Sequence, residues 1–237
     1  MKIGILAAGI TPEVLQSQYP TYAQMFAQQL QAHEPELAFE IFDVRLDEFP
    51  ASIDVCDGWL ITGSKSDAYG DEPWILQLCD FIREVDAKGQ VLVGICFGHQ
   101  VIARALGGRV AKFQNGWGVG VHHYQVVDGF DTPVGQKDIA FCAFHQDQVL
   151  EKPEKLETFL TSDFCQHAGL IYQDRILTFQ GHPEFSKQYE NELIELYDGV
   201  TLTSEVASKA RYSVEQDDIQ SPQLMAWIGQ FLKAKSS

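Results

Sequence analysis

Basic residues are scarce in this 237-residue chain: 17 lysines and arginines stand against 33 aspartates and glutamates, a formal charge of −16. A balance of that sign repels nucleic acid and anionic membrane surfaces, and no basic arm offsets it, so neither is expected as a partner. Long hydrophobic runs are missing as well, and none approaches the roughly 18 residues of a membrane span. The opening MKIGILAAG holds an apolar run too short for a secretory signal core before a turn begins. Five cysteines, Cys56, Cys79, Cys96, Cys142 and Cys165, make an odd number without a C-x-x-C pair. That excludes an evident disulfide framework or zinc knuckle and suits a reducing, cytoplasmic compartment. There is no glycine-rich phosphate loop, internal repeat or low-complexity segment. Gly116, Gly118 and Gly120 lack the strand-then-helix order of a dinucleotide fingerprint and read as a turn or bulge. His122 and His123 fall on opposite strand faces with no third ligand at metal spacing, so no metal and no cofactor are expected.

What the chain does have is apolar content, 45% of its residues, enough for one well-buried α/β domain over residues 1–237. Lys2 to Ala7 reads as a first strand, and Tyr22, Met25, Phe26 and Leu30 mark one face of a helix. Leu37 to Phe42 and Trp59 to Ile61 read as further strands; Pro73 then starts a helix carrying Ile75, Leu78, Cys79, Ile82 and Val85. Strands alternating with helices at this spacing predict a mostly parallel sheet covered on both sides, with ligands at the carboxyl ends of its strands. After Gly108 the texture becomes strand-rich: Val110 to Phe113, Val119 to Val127, Ile139 to Phe144, Glu157 to Thr161, Leu170 to Tyr172 and Ile176 to Gln180. The core is expected over about 1–185 and a helical extension over about 186–237. In that extension Tyr189, Leu193 and Leu196 share a helix face, and Ser221 with Pro222 supplies an N-cap and first helical position. The KAKSS tail is expected to fray.

The run VLVGICFGHQ, Val91 to Gln100, concentrates the chemistry. Val91 to Ile95 is a β-branched-rich strand buried on both faces, and a helix follows with Val101, Ile102, Ala105 and Leu106 at helical spacing. No loop separates them, so Cys96 stands on a sharp turn that needs small neighbours, and Gly94 and Gly98 supply them. This is the pattern of a nucleophile elbow. The amino end of a helix favours a thiolate, and its free N–H groups can hold an oxyanion. A cysteine nucleophile needs a base and the base an orienting group. His182 follows a predicted strand through Gly181, and Glu184 lies two residues on, placed to fix the imidazole in one tautomer.

GICFGHQ together with the later QGHPEF closely resembles the class I (triad) glutamine amidotransferases, with their G-x-C-x-G-H-Q elbow and downstream H-P-E. The resemblance runs from about Lys2 to Phe185. It implies a flavodoxin-like three-layer sandwich and hydrolysis of a γ-glutamyl amide. Cys96 would attack the side-chain carbonyl, His182 would carry the proton to the leaving ammonia or amine, and Glu184 would orient His182. The oxyanion hole would use the N–H of Phe97 and one from the loop TGSKSDAYG, at Gly63 or Ser64. Gln100 would help hold the substrate. Phe144, His145 and Gln146 fall where the family contacts the glutamine α-amino and α-carboxylate groups, and Trp117 is a further wall. His145 could equally satisfy a backbone carbonyl, and Asp147 could position it, bind an amine or stand in solvent. His99 reads as a structurally hydrogen-bonded helix residue, and the other four cysteines as core.

The segments SKSDAYGDEPWILQLCDFIREV and ICFGHQVIARALGGRV are similar to the stand-alone branch related to the glutamine domain of GMP synthase, which includes γ-glutamyl peptidases acting on glutathione-type compounds. AFHQDQV departs from the serine–histidine–glycine–aspartate string of GMP synthase, which puts nucleotide synthesis in doubt. The expected partner is a small γ-glutamyl substrate, glutamine or a γ-glutamyl peptide. With no ATP site of its own, the chain either works alone or serves a separate ATP-dependent synthetase.

Overall fold

The computed structural model describes residues 1–234. Five strands run parallel: β1 (Lys2–Leu6), β2 (Ala38–Phe42), β3 (Gly58–Ile61), β4 (Val91–Ile95) and β11 (Ile176–Phe179). Four more extend the sheet in antiparallel fashion: β6 (Gly118–Val126), β7 (Asp138–His145), β9 (Glu157–Thr161) and β10 (Gly169–Tyr172). The order across the nine strands is β2-β1-β3-β4-β11-β10-β9-β6-β7, and β5 (Arg109–Lys112) pairs with β8 (Asp147–Glu151) in a separate ribbon. The expected α/β sheet with a strand-rich second half is the one observed.

Strand alternation decides which helices cover which face. Ile3, Ile5, Val91, Val93 and Ile95 point to a core shared with α1 (Tyr22–His33) and α6 (Ser221–Lys233), where Phe26 and Leu30 meet Trp227 and Ile228. Leu6, Trp59, Ile61 and Leu92 point the other way, against Ile75, Leu78 and Ile82 of α2 (Pro73–Lys88) and Val101 and Ile102 of α3 (Phe97–Ala105). Two helical layers thus enclose the sheet. Over the antiparallel end, Val119, Val121 and Cys142 pack on α4 (Lys187–Tyr197) and α5 (Ser204–Gln216).

Two details of the carboxyl-terminal part differ from expectation. Ser221 does not cap α6 but is its first residue, and Gln220 flanks the helix. Gln220 exchanges hydrogen bonds with Ala140, its N–H donating to the carbonyl (2.8 Å) and its Oε1 accepting the Ala140 N–H (2.7 Å), which ties it to β7 as the flanking residue and starts the helix one residue earlier. Of the KAKSS tail, Lys233 ends α6, and the last three residues lie outside the described ones. Among the described residues no helix is long and apolar enough to cross a membrane.

Candidate active site

Cys96 sits at the carboxyl end of β4 with φ 51° and ψ −101°, a left-handed conformation that L-residues rarely adopt and that marks strain at a functional position. Its N–H donates to the Phe179 carbonyl of the neighbouring strand (2.8 Å), and its carbonyl accepts the Gln100 N–H (3.0 Å), so strand pairing ends and helix pairing begins within one residue. The small neighbours predicted for such a turn are needed sterically. A Cβ on Gly98 would lie 2.3 Å from the Ile61 carbonyl oxygen, and one on Gly94 would lie 2.7 Å from the Gly98 carbonyl carbon. The first N–H groups of α3, beginning with Phe97, have no acceptor within the helix.

His182 follows β11, the parallel strand beside β4, and bridges across to β7. Its N–H donates to the Cys142 carbonyl of β7 (2.7 Å), its ring stacks on Phe185 with centroids 4.1 Å apart, and its Nδ1 lies 2.8 Å from Glu184 Oε1. The Glu184 carbonyl accepts Nε2 of Gln29 on α1 (2.8 Å). Burial would lower the His182 pKa, yet Glu184 and the Cys96 sulfur together raise it well above the usual imidazole range. Cys96, His182 and Glu184 are all buried. A thiol, an imidazole and a carboxylate in that order can form an ion pair and pass one proton to a leaving group.

Gly63 closes the site from the loop after β3: a Cβ there would lie 2.8 Å from His182 Cε1 and 3.7 Å from Cys96 Cβ. The backbone at Gly63 therefore runs beside the reacting groups, and Ser64 lines the cleft. Arg104 in the last turn of α3 holds this loop, Nη1 donating to the carbonyls of Ala68 (2.9 Å) and Gly70 (2.6 Å).

A cleft of about 400 Å³ opens over Cys96 and His182. Gln100, Trp117, Phe144, His145 and Gln146, all expected around the substrate, border it. The half-buried Trp117, Phe144 and Tyr197 form a continuous aromatic wall, with successive centroids 5.7 and 5.5 Å apart. Gln100 does more than face the cleft, since its Nε2 donates to the Asp147 carbonyl (2.8 Å) and to Gln180 Oε1 (3.2 Å). His145 donates from Nδ1 to that same carbonyl (3.1 Å), and burial pushes its pKa down to about 3. Asp147 opens β8 instead of standing in a solvated loop, and burial together with the neighbouring Asp67 raises its pKa to about 6. His99 is fully buried, bonded through Nδ1 to Thr178 Oγ1 (2.8 Å). Cys56, Cys79, Cys142 and Cys165 are buried free thiols.

Sequence reasoning missed Gln180, Asp67, Lys112 and the Tyr197 end of the aromatic wall. The Gln180 amide Nε2 stands 3.8 Å from Cys96 Sγ, and Asp67 and Lys112 line the cleft. Gln180 was within sight, since it precedes Gly181 at the end of the strand that delivers His182.

Comparison with known proteins identifies the family and the fold. The family profile "glutamine amidotransferase class-I" matches residues 19–196. The chain is 33% identical over 207 residues to gamma-glutamyl peptidase 5 of Arabidopsis thaliana, covering 84% of this chain and 82% of that protein. Gamma-glutamyl peptidase 2 of the same plant is 31% identical, with 83% and 82% covered. The crystal structure of a glutamine amidotransferase from Thermotoga maritima superposes with a TM-score of 0.79 at 18% identity, over 98% of both chains, and so shares the fold.

Proposed function

The chain belongs to the class-I glutamine amidotransferase family, and on that premise we propose that it hydrolyses γ-glutamyl amide bonds through a thioester on Cys96. The observation that carries this reading is the meeting of the strained Cys96 elbow with His182, itself 2.8 Å from Glu184. The Cys96 thiolate adds to the γ-carbonyl carbon, and the carbonyl oxygen takes up the negative charge between the N–H groups of Phe97 and of Gly63 or Ser64. His182, protonated by the thiol, gives that proton to the nitrogen as the carbon–nitrogen bond breaks, and amine leaves. Water then adds to the thioester, His182 accepts its proton, and glutamate departs as the carbon–sulfur bond breaks and the sulfur is restored. Glu184 holds the imidazole and stabilises its charged form.

The leaving group we favour is larger than ammonia. A volume of about 400 Å³ falls among pockets that hold drug-sized ligands, and Trp117 and Tyr197, on either side of Phe144, offer apolar surface beyond the glutamyl contacts expected at Phe144, His145 and Gln146. A γ-glutamyl peptide or conjugate fits that cleft better, and the γ-glutamyl peptidase relatives support the assignment. Five unpaired cysteines support placing the reaction in the cytoplasm. Purified chain should release glutamate from γ-glutamyl–cysteine compounds faster than from glutamine, read by mass spectrometry. Inactivity toward both, with activity restored only by an ATP-dependent synthetase, would make it a partner-dependent glutaminase subunit instead.

A further inference from the structure

Behind the triad lies a second buried carboxyl. Glu190 on α4 has no exposed surface; its Oε1 accepts the Gly120 N–H (2.9 Å), and its Oε2 has no partner among the described residues. Glu184 Oε2 and the hydroxyl of the fully buried Tyr124 are unpartnered in the same way. Gly120 lies within β6 at φ 93°, and a Cβ there would lie 2.5 Å from Ser213 Oγ and 2.8 Å from the Ala210 carbonyl oxygen of α5. Gly120 pairs with Ala143, the neighbour of Cys142, whose carbonyl seats the His182 N–H. The Glu190 carboxyl is therefore one strand pairing away from the backbone that positions the base.

The groups facing Glu190 leave it little support as an anion. His182 and Glu184 face it from the segment before α4, Cys142 from β7 and Tyr124 from β6. On its own helix Lys187 directs its ammonium to the Asp217 carbonyl (2.9 Å), and α5 brings the neutral Ser213 hydroxyl, which accepts the Val121 N–H. An ionised carboxylate without a dedicated cation is costly in such a place, and the group stays protonated instead. Burial first, and Glu184 with it, outweigh the Gly120 N–H and His182 to raise its pKa to about 8.

Resting on the thiol–imidazole reading above, we propose that Glu190 is a positioning residue of the triad: an uncharged carboxyl at neutral pH that holds the left-handed Gly120 of β6 behind His182 and leaves Glu184 as the sole charged carboxylate beside the imidazole. Its ionisation in mildly alkaline solution places a second negative charge behind the base, which strengthens the hold on the proton His182 must release.

The test measures alkylation of Cys96 by iodoacetamide, with Cys96→Ser as background, and glutamate release, both from about pH 6 to about pH 10. Wild-type protein should show an inflection near pH 8 in each profile. Glu190→Gln, which keeps an acceptor for Gly120 but cannot ionise, should lack it. Glu190→Ala should lose about tenfold in rate at every pH, and Glu190→Gln should recover most of that loss. An inflection retained in Glu190→Gln, absent from wild type, or an Ala variant as fast as wild type would each overturn the proposal. Should neither variant fold, the infrared carboxyl band of wild type decides: a protonated-carboxyl absorption lost between about pH 6.5 and about pH 9.5 supports the proposal, and its absence refutes it. Alkylation requires no γ-glutamyl compound, so inactivity toward such compounds would refute the substrate reading without touching this one.

Discussion

Strand β4 and the antiparallel half of the sheet handle polarity in opposite ways. In the parallel half the nucleophile stands on β4, whose five residues are all buried, and the strand is backed by apolar side chains on both faces. The antiparallel half, with α4 above it, buries Glu190 and His145 and supplies the aromatic wall of the cleft. Dry packing fixes a strained backbone, since nothing there can rearrange without opening a void. Buried polar groups are tied by a few directional bonds and respond to protonation. The chemistry thus rests on the rigid half, and leaving-group selection and pH response on the other.

The largest expected effect breaks the nucleophilic half outright. Cys96→Ser should lower turnover by at least about a thousandfold with an unchanged circular-dichroism spectrum, and mass spectrometry should find no acyl-enzyme. His182→Ala should fall almost as far, and Glu184→Gln less, because orientation is lost but the base remains. Full turnover in Cys96→Ser would refute the mechanism.

Next, the elbow should tolerate little added volume. Gly98→Ala places a methyl 2.3 Å from the Ile61 carbonyl oxygen, and denaturant unfolding should show a loss of about 1–3 kcal/mol together with reduced activity. An equally stable variant would show that the parallel half is softer than its packing implies.

The polar half should gain stability by losing its buried acid. In the unfolded chain Glu190 ionises above about pH 4.5, while in the folded chain it keeps its proton to about 8, so wild type loses stability as pH rises through that window. Glu190→Gln carries no such penalty. It should melt at a higher temperature than wild type at pH 8, the gap shrinking towards pH 4.5, worth up to a few kcal/mol. A gap that does not vary with pH would refute the assignment. The smallest effect concerns selection: Trp117→Ala should raise KM for a γ-glutamyl peptide by about tenfold and hardly alter KM for glutamine. Equal changes for both would place the wall outside the leaving-group subsite.

Legibility in the sequence followed the same division. The run from Val91 to Leu106 announced strand, turn and helix because apolar spacing and two glycines all speak locally, and the fold of the parallel half followed from its alternation. Helix α5 was covered only by the helical extension expected over about 186–237, without bounds of its own, because its buried face is Ala207, Ala210 and Val214, too small a stripe among polar residues to show a helical period. Strand β8 was hidden in the segment read as a strand end, since Asp147 and Gln148 look like loop residues until Gln100 and His145 are seen bonded to the Asp147 carbonyl. The partners of Gln180 and Glu190 are distant in sequence, and a side chain's reach across strands leaves no periodic trace.

Helix α3 begins beside Cys96 and carries Arg104 in its last turn, whose guanidinium grips the loop that bears Gly63 and Ser64. Nucleophile and loop therefore ride on one short rod. When the rod tilts, the attacking sulfur and the N–H groups beside it travel together, so their mutual distance survives thermal motion that shifts both relative to the cleft. Cutting the grip at Arg104 would turn one moving part into two.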